Sequence, residues 1–178
     1  MKTSMRNAAL TLALALMAFP AGASTLADQE KLEKSVRHEL LMLPYFGVFD
    51  NLEYQVEESK VTLYGQTIRP TTKSSAERVV ARLEGVSEVD NQIEVLPLSA
   101  HDDRIRLAVA RAVYGNAVLD RYALGAHPRI KVLVKNGDVT LEGVVARELD
   151  KNVATAKANG VAGVFSVTNN LKVEKKKS

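Results

Sequence analysis

The chain has 178 residues, no Cys, no Trp, and 24 Lys+Arg against 21 Asp+Glu. That excludes disulfides, thiolate metal sites and an acylated N-terminal Cys. It allows one or two domains whose small cores must be held by aliphatic packing.

The first residues read as a targeting segment. Lys2 and Arg6 form a charged start, Ala8 to Phe19 an apolar run, and Ala21-Gly22-Ala23 a cleavage site. Residues 1–23 are therefore expected to be a cleaved secretory signal. No later stretch reaches about 18 apolar residues, the length needed to span a bilayer.

Asp28 to Met42 is expected to be a helix. Leu32, Val36, Leu40 and Leu43 recur on one face, and Pro44 ends it. Tyr45, Phe46, Val48 and Phe49 follow closely, as core packing under the helix end or as an apolar patch for a partner. Leu52 to Glu57 alternates as a strand, Glu58-Ser59 turns, and Lys60 to Ile68 returns. A second helix begins at Pro70 or Thr72, with Ala76, Val80 and Leu83 toward the sheet. Gly85 caps it in a left-handed conformation, and Val86 to Val95 is the closing strand. Leu96 to Ala100 is a short join, which makes the flanking units neighbours.

The pattern then repeats. Asp102-Asp103 opens a helix, placing acids at its positive end, with Ile105, Val109, Ala112 and Val113 inward. Arg104, Arg106 and Arg111 lie elsewhere on that helix. Gly115 to Pro128 is a longer connection carrying Arg121, Tyr122 and Leu124. Ile130 to Lys135, Asn136-Gly137 and Asp138 to Val145 form a tight hairpin, since Asn-Gly suits a turn with two positive φ angles. Ala154, Ala158 and Val161 mark the next helix, capped by Asn159-Gly160. Gly163 opens the final strand, Val164 to Val173.

Sliding the first copy by 78 positions puts V-T-L-Y-G-Q-T (Val61 to Thr67) on V-T-L-E-G-V-V (Val139 to Val145). The same slide puts Gly85 to Val95 on Gly163 to Val173. One unbroken register across both blocks means a duplicated domain. The expected fold is α+β: two tandem αββαβ domains, each a three-stranded sheet with two helices on one face. The domains should span residues 28–98 and 101–173, with a basic tail at 174–178. Gly65 and Gly143 stand inside strands, where a glycine marks a bulge or a close approach, expected here from the helix crossing the sheet. Gly65, Gly85, Gly143 and Gly163 are read as structural.

Charge is divided. Asp28 to Leu98 holds 8 basic and 13 acidic residues, net −5; His101 to Val173 holds 11 and 7, net +4. The basic half is the side to which an anionic surface would dock.

The blocks after V-T-L-x-G, with G-V-x-x-V-x-N-x-[IL]-x-V, resemble the BON domain, a module of bacterial osmotic-stress and nodulation proteins. The resemblance covers nearly all of the chain beyond residue 28, twice. It implies the αββαβ fold, a periplasmic or envelope location, frequent induction by stress, and a proposed affinity for phospholipid. It transfers no catalytic residue. Asn91 and Asn169 match, with the four glycines, as fold determinants.

Nothing else in the chain assembles chemistry. His38, His101 and His127 lack ligand spacing, and there is no G-x-S-x-G, P-loop or H-E-x-x-H motif. No enzyme activity, cofactor or metal is therefore expected. Nucleic acid is not expected either, because no aromatic platform interleaves the basic residues of an exported domain. The leading expectation is a binding module for anionic phospholipid. Arg104, Arg111, Arg121, Arg129, Lys131 and the Lys tail would supply charge, with Tyr114, Tyr122 or Leu124 entering the headgroups. The rival is a factor that binds envelope proteins, chaperone-like, through residues 45–49 and the open sheet faces.

Overall fold

The computed structural model describes residues 26–125 and 127–175. The targeting segment at 1–23 and the end of the basic tail lie outside the described residues. The first domain runs α1 (Leu26–Leu41), β1 (Asn51–Glu57), β2 (Lys60–Thr67), α2 (Pro70–Val80), β3 (Glu88–Asn91) and β4 (Glu94–Val95). The second runs α3 (Ala100–Tyr114), a 3₁₀ turn (Asp120–Ala123), β5 (Ile130–Lys135), β6 (Asp138–Val145), α4 (Glu148–Asn159), β7 (Ser166–Asn169) and β8 (Lys172–Val173). In each, the first two strands form an antiparallel hairpin. The crossover helix then returns the chain parallel to the second strand, so the sheet is mixed, with the hairpin's second strand central. The fold is two αββαβ units.

Each domain has its own core. Leu32, Val36, Leu40 and Leu43, the face read from their spacing, are all buried, against Val61, Leu63, Ala76, Val80 and Ile93. The second core places Ile105, Val109 and Val113 against Val132, Val139, Leu141, Ala154 and Leu171. Ala76, Ala154 and Ala158 have no exposure, because a small side chain lets the crossover helix lie close on the sheet. Burying each such Val or Leu contributes about 1.5–3 kcal/mol.

Three details depart from the sequence reading. The closing strand of each domain is interrupted rather than continuous from Val86 to Val95 or from Val164 to Val173. Asn169 Oδ1 accepts from the Leu171 N–H at 3.0 Å, and its amide donates to Lys151 O at 2.9 Å and to Thr155. Asn91 does the same with Ile93, Lys73 and Glu77. These asparagines stitch the crossover helix to the sheet, and the strand breaks where they do so. Second, the group approaching Gly65 and Gly143 is backbone of the chain entering the first hairpin strand, not a helix. A Cβ would stand 2.2 Å from Asn51 O in one case and 2.0 Å from Arg129 O in the other. Third, Gly160 has φ −75 and is no left-handed cap. Gly85 and Gly163, with φ +90 and +91, instead take the third position of a turn closed by Val86 N to Leu83 O and Val164 N to Val161 O. A positive φ there selects glycine. In the Asn136-Gly137 turn both residues have positive φ, 55 and 84, as a two-residue hairpin requires.

The domains meet at a specific junction. The segment before β1 lies along the outer edge of β5, where the Val132 N–H donates to Val48 O at 2.8 Å. Val48 and Phe49 pack on the second core while Phe46 packs on the first. Lys135 pairs with Glu94 across the junction at 2.6 Å.

Candidate functional site: an arginine cluster on the second domain

The 3₁₀ turn after α3 drives Tyr122 inward, leaving it 2% exposed. Its hydroxyl donates to Asp150 Oδ2 at 2.7 Å and accepts from the Ala146 N–H at 2.7 Å and Arg121 Nη2 at 3.1 Å. One donor and two acceptor positions are thus all used. Asp150 has no exposure and sits in the first turn of α4, where the helix end favours an anion. Arg121 and Arg147 both pair with its carboxylate. Burial alone would raise the Asp150 pKa, but the Tyr122 hydroxyl and the two guanidiniums outweigh it and hold the acid below its ordinary value. Arg121 is held above its ordinary value, chiefly by the Tyr122 hydroxyl.

Tyr122 also organises a third arginine. Its ring lies 4.9 Å from the Arg121 guanidinium and 5.9 Å from that of Arg129, which pairs with Glu174. Three exposed arginines are therefore arranged round one buried aromatic and one buried carboxylate. Two guanidiniums share the single charge of Asp150, so the pair carries one positive charge more than its carboxylate offsets. Leu124 and Leu149, 74% and 59% exposed, flank it in sequence. Forked N–H donors beside exposed leucines suit a phosphate-bearing, partly apolar surface.

The residues expected to bind membrane divide accordingly. Arg121, Tyr122 and Arg129 come together, with Leu124 exposed beside them. Tyr122, however, is the cluster's buried anchor and cannot enter headgroups. Tyr114 is half-buried, donates its hydroxyl to Ile130 O, and has its pKa raised by burial. Lys131 is 8% exposed, since the first domain covers this part of the sheet. Its Nζ donates to Gly47 O at 2.9 Å and stands 4.4 Å from the Phe46 ring. Burial lowers its pKa to about 8, against the opposing pull of Asp50. Arg104 and Arg111 are exposed on α3, apart from the cluster. Arg106, expected off the inward-facing set of the helix, is buried, donating to Val134 O at 2.6 Å and pairing with Asp103. Asp102 does more than favour the helix start. It is buried and accepts from the Asn136 and Gly137 N–H groups, so it clamps the hairpin turn.

Arg147, Leu149 and Asp150 were not singled out from the sequence. One signal was available, because the 78-residue slide places Arg69 on Arg147, each just before its crossover helix. The first domain uses that position differently. Its buried acid is Asp50, which accepts from Thr67 Oγ1 at 2.6 Å, Ile68 N at 3.3 Å and Gly47 N at 3.0 Å. Arg69 turns instead to Tyr45, donating to its carbonyl and lying over its ring. The arginine cluster belongs to the second domain alone.

The BON domain model matches residues 28–97 and again residues 101–175. The chain belongs to the BON domain family. No curated protein matches it. Among solved structures, CdsD, a structural protein of the type III secretion system of Chlamydia trachomatis, is similar at 12% identity over 79% of this chain and 91% of that one, with a TM-score of 0.31. A C-terminal domain of CdsD is similar at 14% identity over 83% of this chain and all of that one, with a TM-score of 0.30. Likeness that distant carries no functional argument. The BON family is linked to phospholipid binding and to the envelope under osmotic stress. No described helix of this BON protein is long and apolar enough to cross a membrane.

Proposed function

We propose that this protein is a non-enzymatic periplasmic module that adheres to anionic phospholipid surface through the Arg121, Arg129 and Arg147 end of its second domain. The observation that carries this reading is the arrangement of the three arginines. Tyr122 and Asp150 position them while they remain exposed, next to exposed Leu124 and Leu149. Each basic residue near an anionic leaflet contributes about 1 kcal/mol; with Asp150 and Glu174 offsetting two of the three charges, the cluster gives roughly a fivefold preference for anionic over neutral lipid. Arg104, Arg111 and the Lys tail add to it. Residues 45–49 offer little to a client protein, because Phe46, Val48 and Phe49 are taken up by the two cores and only Tyr45 is largely exposed.

The test is sedimentation with phosphatidylglycerol or phosphatidylcholine vesicles at low and high salt. Binding should need phosphatidylglycerol, fall with salt, and weaken about fivefold in Arg129→Gln. Equal binding to both lipids, or indifference to the arginine, would sink the proposal.

A further inference from the structure

We infer that a cleft in the first domain binds a small organic ammonium ion carrying a ring-sized apolar group. The cleft lies between the start of α1, the turn joining β1 to β2 and the turn after α2, and its volume is about 490 Å³. That is the size of a small-molecule site. Leu32 and Leu83 give it apolar walls. At Gly85 a Cβ would meet only Leu32, at 4.0 Å, so the floor is bare backbone. Asp28, Glu58 and Glu84 bring carboxylates to the rim, and Lys31 is the one base among the described residues that line it.

The second domain shows how the same place is closed. Aligning Leu32 with Ile105 sets Asp28 against His101 and Gln29 against Asp102. Asp102 accepts from the Asn136 and Gly137 N–H groups at 3.0 and 2.9 Å, which draws the hairpin turn onto α3. His101 and Ile105 then stand 3.5 Å from the Cβ position of Gly163, the counterpart of Gly85. In the first domain Gln29 donates to Val56 O at 3.4 Å instead of holding the Glu58-Ser59 turn. One carboxylate exchanged for an amide leaves the space between helix and turn open to a ligand.

Charge selects the occupant. Three carboxylates against one lysine repel anions, phosphate included, and attract a cation. The cation is organic rather than a metal ion, because among the described residues no three acidic or histidine side chains converge to hold a metal. Leu32 and Leu83 would face the ring while the ammonium group meets the rim. Glu58 adds a further sign. It stands at φ +54, as Asn136 does at φ +55 in the second hairpin. That conformation suits Asn better than Glu, so the rim carboxylate is held there at a cost to the turn.

The intact two-domain protein is titrated with phenethylammonium and, separately, with phenylacetate, a similar ring bearing the opposite charge, while amide chemical shifts are followed by NMR. So small a ligand should saturate at about 1–10 mM. The phenethylammonium shifts should centre on Leu32, Ser59, Leu83 and Gly85, fade with salt, and leave Ile105, Gly137 and Gly163 of the second domain unmoved. Glu58→Asn should unfold in urea no earlier than wild type yet bind about threefold more weakly, and Glu58→Asn with Glu84→Gln about tenfold more weakly. No saturation by about 50 mM, equal binding of phenylacetate, shifts spread over both domains, or undiminished binding by the double variant would each overturn the inference. The cleft is in the acidic domain, apart from the arginine cluster, so Arg129→Gln should leave it unchanged. Its failure is therefore separable from failure of the lipid reading.

Discussion

Replacing Tyr122 by Phe removes one oxygen and keeps the ring, which makes it a sharp probe of the arginine cluster. The hydroxyl serves three partners: the Ala146 N–H, Asp150 and Arg121. Arg121 is exposed enough to turn to water. The N–H of Ala146, an exposed residue, can turn to water as well, but the fully enclosed Asp150 loses a donor. Loss of a partner by a buried group costs about 1–3 kcal/mol, and Asp150 is the one such group here, so the variant should lose about 1–3 kcal/mol at neutral pH. The pH dependence follows from Asp150. Its pKa lies below the ordinary 3.8, so the stability it contributes is present above that value and is lost as pH falls through the folded pKa. Without the hydroxyl, burial gains ground and the pKa rises. The deficit should therefore be full near pH 7 and smaller at an acid pH below the ordinary 3.8, where the carboxylate begins to protonate. Urea unfolding of wild type and Tyr122→Phe at both pH values measures this. A loss below about 1 kcal/mol at pH 7, or an identical loss at both, would refute the argument that this hydroxyl anchors the carboxylate.

Other outcomes are expected elsewhere in the molecule. Gly143→Ala, and equally Gly65→Ala, should lose about 3 kcal/mol or more in urea unfolding, because a Cβ would overlap a backbone oxygen where φ is +125 or +108. Lys131 binds its proton more weakly folded than unfolded, so wild-type stability should rise between pH 8 and pH 10.5. Lys131→Met should lack that rise, a difference on the order of 2 kcal/mol after allowing for partial solvent access. Phe49→Ala should loosen the junction while each sheet persists. NMR relaxation would then report two separately tumbling domains; unchanged tumbling would mean the contact at Val48 and Lys135 suffices.

The duplicated αββαβ plan was legible in the chain because its determinants are local. Apolar spacing places Leu32, Val36 and Leu40 on one helical face. Asn136-Gly137 fixes the second hairpin, observed over the expected Ile130–Lys135 and Asp138–Val145. Gly65, Gly85, Gly143 and Gly163 all have positive φ, although Gly163, not Gly160, carries the turn after α4. Alternation could not show that Asn91 and Asn169 would interrupt the closing strands, since their partners lie on the crossover helix.

The arginine cluster and the junction came only from tertiary structure. Alternation puts Lys131 on the open face of its sheet, and it is buried because a loop 84 positions away covers it. Tyr122 reads as one aromatic in a long connection. Its role depends on Asp150, 28 positions later, arriving at the start of a helix beneath it. Periodicity reports which face of an element is apolar, but it carries no information about which distant segment will be pressed against that face. Burial, charge pairing and proton affinity are set by that contact, so the chain alone determined the two folds while their packing decided which cations are left to meet a partner.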